Sequence, residues 1–204
     1  MKKGINKISI WAVILVILLV SCEKTGIAPD LSTETDQELS LKSAKVKAPE
    51  ISYSILEDMP SEGLCNVLPL TPFIAGQNFK AGNVQIANSE TKLYIAITMN
   101  EGWKLGLTHI YIGTFEGIPF NNGGNLKTGN FPVSTSFKKG TGQVIYEFDR
   151  EDFNNQLTIL VHGEVSGVSS ETAWAFGTAF PGAGRWGWYI DYTMKDCEIV
   201  IPPR

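Results

Sequence analysis

Hydrophobic and polar residues alternate with a period of two along much of this chain. Leu93, Ile95, Ile97 and Met99 are interleaved with Tyr94, Ala96 and Thr98. The same pattern runs through His109-Ile110-Tyr111-Ile112, Val144-Ile145-Tyr146-Glu147-Phe148, Leu157 to Val165, and Trp186 to Tyr192. Residues two apart in a strand point to the same side, so each run predicts a β-strand with two unlike faces. The runs are short and rich in β-branched and aromatic residues. They stop at Asn100-Glu101-Gly102, Asn122-Gly123-Gly124 and Lys139-Gly140-Thr141-Gly142, which have the composition of turns. Asp149 to Asn154 fits one helical turn. No long amphipathic helix separates the strands, which argues against alternating βαβ units. The expectation is an all-β fold, an antiparallel β-sandwich with a β-barrel as the alternative.

The pattern differs before residue 50. Lys2, Lys3 and Lys7 flank the start of an apolar run, Ile8 to Val20, interrupted only by Ser9. That run is short for a membrane span of about 20 residues and suits a secretory signal. From Glu23 to Pro49 the residues are mostly polar, charged or small. Too little apolar surface is present to offset the entropy of ordering, so a flexible tether is expected, with a local helical tendency over Asp36 to Val46. The organisation is therefore a signal segment 1–21, a cysteine and linker 22–49, and one domain 50–204. A domain of that length buries roughly 68–70% of its unfolded surface.

The signal ends in Leu19-Val20-Ser21-Cys22, which resembles the bacterial lipobox. The resemblance implies a diacylglyceryl group on the Cys22 thiol, cleavage after Ser21, and acylation of the new amino terminus. Two or more chains give stable anchoring, because each buried CH₂ contributes about 0.8 kcal/mol. The implied partner is a membrane, held through the lipid anchor. The long tether favours the outer membrane, facing periplasm or cell surface, with the periplasmic face of the inner membrane as the alternative.

Within the domain, the order Ile74-Ala75-Gly76-Gln77, Gly82 to Ile86, Leu93-Tyr94-Ile95, Gly102-Trp103, Leu107 to Gly113, His162 to Val165, Glu171 to Ala175 and Trp186 to Tyr189 is similar to a secreted bacterial β-rich module. That likeness implies an extracellular β fold and supplies no catalytic residues.

Cysteine usage fits export. With Cys22 assigned to lipid, Cys65 and Cys197 remain as one possible disulfide in an oxidising compartment. Neither has a CxxC partner and the chain holds two histidines, so no metal site and no cofactor are expected. Cleavage removes three of the 17 basic residues and none of the 21 acidic ones, leaving 14 against 21 and a net charge near −7. That balance argues against nucleic acid as a partner.

Three groups of residues are candidates for chemistry. His162 and Glu164 share a strand face, and His109 and Glu171 would join them if their strands were neighbours; such a group binds metal or moves protons. The simpler reading makes each histidine a half-buried strand residue. Asp149, Glu151 and Asp152 form a polar link suited to solvation, with a surface calcium ion as the alternative. No serine lies in a Gly-x-Ser-x-Gly elbow and no glycine cluster has the lysine of a phosphate loop, so an enzyme is not expected.

The aromatic residues Trp103, Trp174, Trp186, Trp188 and Tyr189 are the third group. Trp186 and Trp188 share a face with Ile190 and Tyr192 and read as core. Trp174 and Tyr189 are the candidate exposed pair for stacking on a sugar ring. The favoured function is a non-catalytic envelope lipoprotein making structural or protein contacts. The alternative is a glycan-binding surface lipoprotein.

Overall fold

The computed structural model describes residues 51–181 and 186–198. The signal segment, Cys22, the tether and the helical tendency over 36–46 lie outside the described residues. Twelve strands and three single 3₁₀ turns are described, with no α-helix among the described residues. The strands are β1 (Ser54–Leu56), β2 (Leu64–Val67), β3 (Thr71–Ala75), β4 (Phe79–Ser89), β5 (Lys92–Met99) and β6 (Lys104–Gly113). They continue with β7 (Val133–Thr141), β8 (Gln143–Asp149), β9 (Gln156–Ser166), β10 (Ser170–Ala175), β11 (Thr178–Ala179) and β12 (Trp188–Thr193). The expected helical turn after β8 is present as a 3₁₀ turn, Arg150–Asp152.

Every pairing is antiparallel, and the strands form one curled sheet. Strands run in the order β1-β8-β5-β4-β3-β10-β9, then to β12 and β11, while β6 and β7 continue from the other side of β9. The all-β antiparallel expectation holds, and the curl makes the architecture a half-barrel. β3 and β10 join the two walls through Phe73↔Ala175, Ile74↔Trp174 and Ala75↔Ala173. Opposite this seam β1 and β7 are left as free ends. They are bridged by a side-chain hydrogen bond between the Tyr53 hydroxyl, just before β1, and Thr135 Oγ1 on β7, 2.9 Å long.

The concave face holds the main core. Ile95, Ile97, Tyr146 and Phe148 from one wall meet Leu105, Ile110, Ile159 and Val161 from the other, all nearly inaccessible to water. These are the alternate residues of the period-two runs, so the pattern that makes the strands also fills the core. A register shift between Leu105 and Leu107 on β6 lets both Leu105 and Thr108 face inward. There the buried Thr108 hydroxyl bonds the hydroxyl of Tyr146.

A second apolar cluster lies on the convex face of β6, β9 and β10. Residues 114–131, including the 3₁₀ turns Phe115–Gly117 and Thr128–Asn130, bring Ile118 and Phe131 onto Tyr111, Leu160, Trp174 and Phe180.

The C-terminal segment is fastened by one buried amide. Asn88 is fully buried; its Nδ2 donates to the carbonyls of Ser89 and Lys195, each at 2.8 Å. Its Oδ1 accepts from the Tyr192 hydroxyl at 2.8 Å and from the Lys195 N–H at 3.1 Å. All the amide's hydrogen-bonding groups are used, which is what makes its burial affordable. Beyond it Cys65 and Cys197 are bonded to each other across 132 residues.

Candidate functional site

The two histidines are brought together. His109 on β6 stands directly opposite His162 on β9, and His162 opposite Trp174 on β10. All three point to the convex face. The imidazoles are stacked with centroids 5.8 Å apart, and the Trp174 ring lies 4.6 Å from that of His162. The Nδ1 atoms of both histidines are buried without a hydrogen-bond partner. Burial pushes His162 down to about 4, and the neighbouring His109 acts in the same direction. Burial also lowers His109, opposed by the Glu164 carboxylate. Both rings are therefore neutral at neutral pH.

Among the described residues the pair does not acquire a third ligand. Among the described residues, the one group of three metal-binding side chains whose ligand atoms lie within 4.8 Å of one another is Cys65, Glu90 and Cys197. Its two cysteines are spent on each other. Glu164 is exposed beside the histidines. Glu171 returns on the β9–β10 hairpin but pairs with Val165, one residue out of phase with Glu164↔Thr172. Strand parity turns it to the opposite face from His162. There Ser169 Oγ donates to it at 2.9 Å.

The aromatic residues form a packed layer and not a platform. Trp174 is 4% exposed, which corrects the expectation that it stands open to solvent. Parity did put it on the outer side of the sheet, but residues 114–131 and the segment entering β12 cover that side. A β-carbon at Gly187 would sit 3.3 Å from both the Trp174 indole and Leu126. Tyr189 is half-buried, its ring between Phe115 and Phe180 at centroid distances of 5.1 and 5.2 Å. Trp103 is buried in the main core, and Trp186 and Trp188 are half-buried against the outer cluster. Trp186 precedes the strand, so it does not share a strand face with Ile190 and Tyr192.

A depression lies elsewhere, beside the β3–β10 seam. On one wall β4 is flanked by β3 and then β2; on the other, β9 is flanked by β10 and then β12. β3 and β10 pair, whereas β2 and β12 face each other without pairing. Next to them, between Leu68, Pro69 and Thr71 on one side and Tyr189, Ile190 and Asp191 on the other, is a cleft of about 340 Å³ that reaches the core residues Val84 and Ile86. Leu68, Phe176 and Ile190 form its sides.

The cleft is closed at one end by Phe176 N–H to the Pro72 carbonyl, 2.8 Å, and Thr71 Oγ1 to the Phe176 carbonyl, 2.6 Å. At the other end Asn66 Nδ2 donates to the Thr193 carbonyl at 2.9 Å. Gly177 is required at the side. A β-carbon there would stand 2.3 Å from the Tyr189 carbonyl oxygen, closer than any side chain tolerates. Phe176, 48% exposed, lines the cleft, and Leu70, 61% exposed, lies in sequence between the lining residues Pro69 and Thr71.

Comparison with protein-family models, curated proteins and solved structures returns no match for this chain.

Proposed function

We propose that this chain is an envelope lipoprotein, anchored through acyl groups on Cys22, whose β domain makes non-catalytic contacts with another envelope protein. The observation that carries the reading is the Cys65–Cys197 disulfide, which joins the two ends of the domain. Such bonds persist in oxidising compartments. The pairing also leaves Cys22, in its lipobox-like setting, as the thiol available for lipid. The outer membrane is the favoured address, because a long polar tether lets the domain clear the headgroups.

Contact in preference to catalysis is supported by the site chemistry. The histidines are neutral and packed, and among the described residues no third ligand joins them. Protein contact in preference to glycan stacking is supported by burial. Each described tryptophan is buried or half-buried, while Phe176, which lines the cleft, is exposed, as are Val67 and Leu70 on the chain leading along it.

The test is metabolic labelling of the full chain with an alkyne fatty acid in a bacterial host, followed by mass spectrometry of the mature amino terminus. Labelled chains beginning at Cys22, and no label on Cys22→Ala, are the expected result. A mature chain that begins elsewhere or lacks acyl groups overturns the reading.

A further inference from the structure

Cys65, Glu90 and Cys197 meet where β2, the turn between β4 and β5, and the segment after β12 converge. Cys65 stands at the register shift on β2. Leu64 pairs with Ser89 and Asn66 with Asn88, so Cys65 is left out of the ladder. A bulge of this kind re-aims the side chain it carries. Cys197 donates its N–H to Glu90 Oε2 at 3.1 Å. Glu90 is exposed, and its Oε1 has no hydrogen-bond partner among the described residues.

The three residues are held together by more than the disulfide. Arg150 donates its N–H to the Thr91 carbonyl at 2.9 Å, and its guanidinium pairs with Asp196 at 2.6 Å. The same guanidinium reaches the carbonyls of Glu90 and Lys195, at 3.4 and 3.3 Å. Asn88 holds Lys195 at both its N–H and its carbonyl. These bonds fix the chain at Glu90 and the two residues before Cys197. Opening the S–S bond therefore leaves both thiols beside the carboxylate.

From this convergence we infer that the clasp has a second form: once a dithiol reductant opens the disulfide, Cys65, Cys197 and Glu90 bind a zinc ion. This goes beyond the contact function proposed above and does not depend on it. It also revises the expectation of no metal site, which followed from spacing along the sequence and not from neighbours in space.

The three ligand atoms lie within 4.8 Å of one another. Tetrahedral zinc holds sulfur and oxygen ligands about 3.5–3.8 Å apart, so small side-chain movements suffice. Two thiolates and a carboxylate suit this borderline-soft ion, and water completes the fourth position. The two electrons come from the dithiol, which leaves as its own disulfide, while its two protons pass to the cysteine thiols. Zinc binding then releases those two protons to solvent and changes no oxidation state.

The experiment uses the full chain in detergent micelles, reduced under nitrogen with a phosphine, and measures zinc by competition with a chromogenic chelator. The reduced chain should bind one zinc per chain and the oxidised chain none. Zinc should also raise the melting temperature of the reduced chain. Glu90→Gln should bind more than about tenfold more weakly, no less than loss of an outer-shell partner costs, while its oxidised form melts as the parent does. Paired Cys65→Ser and Cys197→Ser replacement should abolish binding.

Equal affinity in Glu90→Gln, or zinc retained by the double cysteine variant, would place the metal elsewhere and overturn the inference. So would a reduced chain that takes up no zinc, whether it keeps its β structure by circular dichroism or loses it and does not regain it when zinc is added. Cys22→Ala should bind as the parent does, and loss of binding there would overturn the ligand set. Acylation at Cys22 is measured separately, so failure of zinc binding with acylation intact removes this assignment alone.

Discussion

His162 stores an acid sensitivity in the fold. Its ring titrates near 4 when folded, against an ordinary value of 6.5. The unfolded chain therefore binds more protons between those values, and stability falls as pH drops from about 6.5 toward 4. The displacement corresponds to about 3 kcal/mol, fully present above pH 6.5. The groups facing His162 are His109, itself held low by burial, the Trp174 ring, and Glu164 two residues along the strand. Urea unfolding at pH 7 and pH 4.5 should show a smaller pH dependence in His162→Gln than in the parent. An identical pH dependence in both would show that this ring is not the sensor. The cross-strand meeting of His109 and His162 could not be read from the sequence, since alternation gives the face of each residue but not the neighbour of each strand. The same gap hid the cover over Trp174: parity assigns it to the outer side and is silent on a loop crossing that side.

At the level of elements, the long strands whose concave face fills the main core were the legible ones. β5, β6, β8 and β9 follow the alternating runs closely, because a buried concave face demands an apolar residue at every second position. β2, β3 and β11 carry too few residues, or a proline, to leave such a trace. The hairpin between β3 and β4 shows a local cost. Gly76 and Gln77 both have positive φ, 54° and 67°, and Asn78 N–H bonds the Ala75 carbonyl at 3.1 Å, the geometry of a type I′ turn. Glycine suits that backbone and glutamine does not, since a side chain in the left-handed region costs roughly 1–2 kcal/mol. Gln77→Gly recovers that cost less its own loss of chain entropy. Thermal or urea unfolding should show a gain of about 0.5–1 kcal/mol. A loss of stability would show that Gln77 is held by contacts outweighing its backbone cost.

For the molecule as a whole, the half-barrel depends on its covalent clasp. In the chain-entropy account, closing a loop of 132 residues stabilises the folded state by about 5 kcal/mol. Reduction, or paired Cys65→Ser and Cys197→Ser replacement, should lower stability by about 3–5 kcal/mol in urea titrations, and addition of reductant should leave the double variant unchanged. The two cysteines were readable as a possible pair from their count. Their meeting beside Asn88 was not, because it depends on how β2 and the end of β12 approach across the curl. The cleft is a fact of this same scale, a place where one pair of strands parts while its neighbours stay joined. The clasp also decides how the body answers a pull from its N-terminal side. Tension entering at residue 51 can strip β1, held by three residue pairs, and straighten the chain as far as Cys65. There the load passes through sulfur to Cys197, so everything enclosed by that covalent ring is shielded from being drawn out.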